Sequence, residues 1–268
     1  MMETDVWISD LPPNWGEVGL PHIMRKRDRT IIFLICCILF AFAAPAAILY
    51  SQGYRIDFSG KKMVQTGGFY FKAWPNRAEV YLNGKFEKSA SMITNAVFII
   101  NLLPKNYEIE IRKNGYRPWV KNLAIMEKEV TEAKNIVLFP ENPQFTAIKQ
   151  MPSKIISSAT STDGNKIWES NNYEIWIVLP EKNEKVFLTR FSEKIENIFW
   201  LNDYYLIFNV GNKIKIAEID NGDGLNIIDL AEFSAQGGEN PKIYWDKDAR
   251  KLYVLSEKKT YLLENLLP

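Results

Sequence analysis

The chain has 268 residues, with 33 Lys and Arg against 32 Asp and Glu, for a net charge of +1. Positive and negative residues are interspersed, so there is no basic stripe for a nucleic acid to follow. The only histidine is His22 and the only cysteines, Cys36 and Cys37, lie in one apolar run, which removes Ser-His-Asp and Cys-His catalysis, His- or Cys-based metal sites and disulfides from everything after residue 50.

Residues 1–30 read as a polar tail. Asp10-Leu11-Pro12-Pro13-Asn14-Trp15 breaks any helix and exposes a tryptophan. Two readings fit it: a docking peptide for a cytoplasmic partner, or a plain tail with a Trp close to a membrane surface. Residues 31–50, Ile31 to Tyr50, carry no charge and read as a transmembrane helix of about 20 residues, roughly 30 Å long. Its Ile, Leu and Phe residues favour insertion by about 3 to 7 kcal/mol. Arg25, Lys26, Arg27 and Arg29 stand immediately before it, and the next cations, Arg55, Lys61 and Lys62, are sparser. The positive-inside rule therefore predicts a cytoplasmic N-terminus and an outer body. Tyr50 and Tyr54 suit the outer interface. The competing reading is a cleaved signal peptide, with Ala44-Pro45-Ala46 as its A-x-A site. The adjacent cysteines read as apolar filler or, alternatively, as palmitoylation sites.

Residues 51–140 alternate apolar and polar positions between turn signals. Strands are expected at 53–58, 69–74, 79–82, 97–102, 107–112 and 132–139, with Asn83-Gly84 as a type I′ hairpin turn. Pro75 and Ala78, Val80-Tyr81-Leu82-Asn83-Gly84, Leu103-Pro104, Tyr107-Glu108-Ile109-Glu110-Ile111 and Gly115-Tyr116 follow one another in an order that resembles the PEGA domain, over roughly Gly67 to Phe139. The tetrapeptide reads Pro-Asn-Arg-Ala, and Asn106 stands where that family usually has Gly; a positive φ is expected at Asn106, since Asn tolerates one. The resemblance implies a small, non-catalytic β-sandwich of the cell envelope, used for surface attachment or spacing. Trp74, Tyr81, Tyr116 and Trp119 are candidate contacts for sugar rings; alternating aromatics also simply fill small sandwich cores.

Pro140-Glu141-Asn142-Pro143 reads as a linker. Residues 144–268 then repeat a pattern: Ile198 to Phe208 matches Ile243 to Val254, and Ser158 to Trp168 is a weaker copy. Each runs strand, polar turn, strand, turn, strand, with a period of about 40 to 45 residues, and resembles blades of WD40-like or TolB-like propellers. Two to three blades fit, too few to close a propeller. An open stack, assembly between chains, or truncation of a longer gene product would each account for the shortfall, and unclosed blades expose edge strands. Asp220-Asn221-Gly222-Asp223-Gly224 lacks EF-hand spacing and reads as a polar hairpin loop.

The expected fold is mainly β: one N-terminal transmembrane helix, a small PEGA-like β-sandwich and a C-terminal partial propeller-like array. The expected function is that of a non-catalytic, single-pass protein of the cell membrane presenting binding or spacer modules outside the cytoplasm. No cofactor or metal is expected. Expected partners are membrane lipid and either a cell-wall glycan or an envelope protein, with no nucleic acid. The alternatives are an anchored carbohydrate-acting hydrolase using two carboxylates, and a ligand sensor signalling to a cytoplasmic partner.

Overall fold

The computed structural model describes residues 25–58, 60–149, 158–220, 222, 224–234 and 239–267. The readings of the tail before Arg25, and of Asn221 and Asp223 in the polar loop, lie outside these residues. The chain divides into two units, the helix and everything from Arg55 onward. Helix α1 (Lys26–Ser51) starts before the apolar run and continues through Pro45, and none of its residues is buried. Thr30 Oγ1 donates to the Lys26 carbonyl at 3.0 Å, so the charged first turn is helical too.

The rest is strands. β1 (Tyr54–Asp57) and β2 (Lys62–Gln65) make a two-stranded ribbon. Next come β3 (Gly67–Trp74), β4 (Glu79–Leu82), β5 (Lys85–Ser89), β6 (Ala96–Leu102), β7 (Asn106–Arg112), β8 (Trp119–Ala124) and β9 (Val130–Val137). They form two sheets, ordered β6-β3-β9 and β5-β4-β7-β8, with β3 and β9 parallel. Period-2 alternation sends Phe69, Phe71 and Ala73 of one sheet against Val80, Leu82, Tyr107, Ile109 and Ile111 of the other, in one buried core. At Gly68 the strands approach too closely for a side chain: a Cβ there would stand 2.6 Å from the Ile99 carbonyl oxygen. Asn83 and Gly84 both have positive φ, as a type I′ turn requires. Asn106 does not. It opens β7 opposite Ala124, and the left-handed backbone falls instead at Asn95, just before β6, and at Asn101, near its end.

The segment read as a linker is held to the sandwich: Pro140 bridges Tyr116, and the Glu141 N–H donates to the Gly115 carbonyl at 3.0 Å. Beyond it lie β10 (Thr146–Ile148), β11 (Ile167–Ser170), β12 (Glu174–Leu179), β13 (Glu184–Arg190), β14 (Ile195–Asn202), β15 (Tyr205–Val210), β16 (Lys213–Glu218), β17 (Ile227–Glu232), β18 (Lys242–Asp246), β19 (Lys251–Ser256) and β20 (Lys259–Leu263). They make three antiparallel sheets, β11-β12-β13, β14-β15-β16-β17 and β10-β20-β19-β18. The sequence repeats map onto β14–β15 and β18–β19, and the weaker copy onto β11, whose preceding strand is reduced to a bridge between Thr160 and Ile167. The second turn of each repeat uses left-handed backbone, at Asn172, Gly211, and Glu257 with Lys258. The first turns of two neighbouring repeats are joined directly, since the Asp163 N–H donates to the Asp203 carboxylate at 3.0 Å.

The middle sheet is covered on both faces. One face packs on Ile175, Ile177 and Leu188 of the first sheet, the other on Ile243, Trp245, Leu252 and Val254 of the last. Every residue of β15 is therefore buried. Val137 and Phe139, at the end of the sandwich, join the second of these cores. None of the sheets closes into a barrel.

Candidate functional site

The sandwich meets the middle sheet along a seam between β8–β9 and β16–β17. The chain turns at Gly115, with φ near +81°, and runs through Arg117 and Pro118 into β8. The Arg117 N–H donates to the Phe139 carbonyl at 2.8 Å, which sets Arg117 and Pro118 beside Glu141 and Asn142 as one wall. Strands β16 and β17 form the other.

A knot of polar groups ties the walls together. The Trp119 indole N–H donates to a Glu218 carboxylate oxygen at 3.0 Å, and the Asn226 side-chain amide donates to the same oxygen at 2.9 Å. Lys121 Nζ lies 3.4 Å from Glu218 and 2.9 Å from Asp220, and donates to the Asp220 backbone carbonyl as well. The Lys121 side chain is 1% exposed. A buried ammonium survives desolvation only with several such partners, and Lys121 has them. Nearby, the Val137 N–H donates to the Tyr205 phenol oxygen at 3.2 Å. Burial pushes the Tyr205 phenol far above its usual pKa, with Glu218 adding to the rise, so it stays neutral.

Beside this knot opens a cleft of about 700 Å³. Arg117, Glu141 and Asn142 line one side and Ile216, Asn226, Ile227, Ile228 and Asp229 the other. Burial opposes ionisation of Asp229, but a hydrogen bond and the charge of Lys215, with Lys213 and Arg117 behind it, outweigh that and hold its carboxyl below the usual value. The Nε of Arg117 is buried and has no hydrogen-bond partner. Of the charged residues that line the cleft, Arg117 stands against Glu141 and Asp229, and Lys215 pairs with Asp229. Among the described residues no group of three or more His, Cys, Asp or Glu is arranged to hold a metal.

The four candidate aromatics do not form one platform. Trp74 and Tyr116 meet edge to face at 6.1 Å. Tyr81 lies elsewhere on the sandwich, under the Arg112 guanidinium at 3.7 Å and against Phe86. Its hydroxyl donates to Glu79, and that bond raises its pKa. Trp119 is 4% exposed and faces inward. Arg25, Lys26, Arg27 and Arg29 gather at the start of α1, Arg25 as the residue that caps it. Lys121 and Glu218 were missed, although both stand out in the sequence. Each takes an inward position, Lys121 after Trp119 and Glu218 after Ile214 and Ile216, where period 2 calls for an apolar residue.

No protein-family model matches the chain, and no curated protein matches it. Among solved structures it is similar to an auxiliary nutrient-binding protein from Bacteroides thetaiotaomicron, with 12% identity and a TM-score of 0.30, over 67% of this chain and 47% of that one. A second, a structural-genomics protein of unknown function from the same organism, has 9% identity and a TM-score of 0.25, over 69% of this chain and 64% of that one. The chain thus spans less than two thirds of either protein, and at these TM-scores neither assigns it a fold family or an activity.

Proposed function

We propose that the chain is a non-catalytic, single-pass membrane protein, with residues 1–30 in the cytoplasm and the β-rich body outside, where the body binds or spaces a component of the cell envelope. The observation that carries this reading is α1, an apolar helix of 26 residues with none buried. Leaving such a surface in water costs about 25 cal/mol per Å². Its charges favour the same reading. Lys26, Arg27 and Arg29 sit at the positive end of the helix dipole with Asp28 as the only acid of that turn, an arrangement that costs about 0.3 to 1 kcal/mol per cation in water. An anionic cytoplasmic leaflet returns about 1 kcal/mol for each. The A-x-A-like site Ala44-Pro45-Ala46 lies inside α1, which continues to Ser51, and a helical site favours an anchor over a cleaved leader.

Cys36 and Cys37 lie within the helix, so a cysteine placed in the body reports topology cleanly. Lys85→Cys is expected to react with a membrane-impermeant maleimide on intact cells, and Ser9→Cys only after lysis. The reverse pattern would invert the topology, and a mature chain beginning after Ala46 would replace the anchor with a cleaved leader. For the binding role, the full chain in detergent micelles is expected to pellet with cell-wall sacculi or to be captured with an envelope protein. Turnover of a glycan substrate would overturn the non-catalytic reading.

A further inference from the structure

The seam cleft touches Ile227, Ile228 and Asp229 in succession. Successive residues of a strand point to opposite faces, so a cavity in contact with three in a row, and with Tyr205 and Ile216 of the inner strands, runs from the face of the sheet out to the edge of β17. β17 is an edge strand of its four-stranded sheet, and the wall opposite, Arg117 to Trp119, leads into β8, an edge strand of the sandwich. An edge strand presents a row of main-chain N–H and C=O groups that seek partners. Within the same cleft, Arg117 Nε is a buried donor without an acceptor, and among the described residues no carboxylate lies within ion-pair distance of Arg117. Val137, Ile216 and Ile228 supply apolar lining. The volume, about 700 Å³, falls within the range of natural ligand sites, about 300 to 1,000 Å³. A sugar ring has no aromatic face to stack on here, because Trp119 and Tyr205 are 4% and 2% exposed.

We infer that this cleft takes an extended peptide segment, which adds to β17 as a fifth strand and sets an acidic side chain at Arg117. Main-chain bonds to the strand edge supply affinity, and alternate side chains supply selectivity: apolar ones toward Val137 and Ile228, acidic ones toward the guanidinium. The inference names the partner class for the binding role proposed above. It does not depend on the membrane topology, so the two fail separately.

The test uses the full chain in detergent micelles and a blocked heptapeptide of alternating Val and Glu, labelled with ¹³C at its central carbonyls. Binding is read by fluorescence anisotropy and by the amide I band. The expected result is saturable binding with the labelled carbonyls shifted to the strand position. Replacing the peptide's Glu by Gln is expected to weaken binding about tenfold, the equivalent of one charge-assisted hydrogen bond. That penalty is expected to vanish in Arg117→Gln, whose thermal melt shows whether it is folded. A peptide N-methylated at alternate amides is expected not to bind. Equal binding of the N-methylated peptide, an unshifted amide I band, or no binding at millimolar peptide would each overturn strand addition. Displacement of the peptide by chitotriose would hand the cleft to a glycan.

Discussion

The middle sheet makes two kinds of contact. Toward the first and last sheets it presents aliphatic and aromatic carbon: Leu206 and Phe208 one way, Ile207 and Ile214 the other, all fully buried. Toward the sandwich it adds, beside an apolar contact of Tyr205 with Phe139, the carboxylates of Glu218 and Asp220, which hold Lys121 and the Trp119 indole. Apolar packing grows with area and tolerates small slips of register. A buried ion pair gives little net stability, because desolvation consumes most of the Coulombic gain, but it accepts only one geometry. The stacking of sheets therefore supplies stability, and the knot at the seam supplies the placement of the sandwich. That placement sets the width of the cleft.

The comparison can be broken first on the apolar side. Phe208→Ala is expected to cost about 4 kcal/mol, from lost transfer energy and a cavity between two sheets, measured by urea unfolding of the full chain in micelles followed by tryptophan fluorescence. A cost below 1 kcal/mol would mean that the middle sheet is not the stabilising element. On the charged side, Lys121→Met is expected to cost about 3 kcal/mol, because Glu218 is left buried and without its cation. Lys121→Met with Glu218→Leu is expected to recover most of that loss, and a double variant no more stable than the single one would show that the ion pair is itself a net source of stability. In the recovered double variant the Val-Glu heptapeptide is expected to bind more weakly, since stability has returned without the fixed geometry.

A smaller effect separates the ring from its hydrogen bond. Trp119→Phe keeps an aromatic in the sandwich core but removes one donor from Glu218, and is expected to cost about 1 to 2 kcal/mol in the same titration. The smallest effect lies in the turn before β11. The carboxyl of Asp163 is held well below its usual pKa by the Lys166 ammonium and then by the Ser161 hydroxyl. A lowered folded-state pKa gives stability that is complete above the ordinary carboxylate range and lost as pH falls below it. Wild type and Asp163→Asn are expected to differ in melting temperature at pH 7, and the difference to begin shrinking as pH falls from about 5 to about 3, with further loss below that. A constant difference across that interval would assign the effect to shape rather than charge.

Local signals were legible in the sequence wherever one turn or one periodicity decided the outcome. Asn83-Gly84 gave its hairpin, and the recurrence of Ile198 to Phe208 at Ile243 to Val254 located two strand pairs. Asn106 misled because left-handed tolerance is only permission; the chain placed that backbone at Asn95, just before β6, and at Asn101, near its end. Trp74, Tyr81, Tyr116 and Trp119 looked alike as aromatics, yet their surroundings differ through contacts that no spacing encodes. The seam was the hardest to foresee, because Trp119 and Glu218 are 99 positions apart. Lys121 and Glu218 each break an apolar register, and two such breaks of opposite charge in separate modules were a legible pair. Arg117 carried no signal at all, since its importance comes from an acceptor that its surroundings lack.

The pairing of β10 with β20, Thr146 opposite Leu262, has a consequence for the order in which the molecule is built. β10 is synthesised well before its partner β20, so this sheet cannot be completed until Lys259–Leu263 has left the ribosome. The sandwich strands, from Gly67 to Val137, are all available long before that. Synthesis therefore presents a finished sandwich attached to a sheet that still lacks β20, and a chaperone that shields Thr146–Ile148 in the interval would be doing the work that Lys259–Leu263 later takes over.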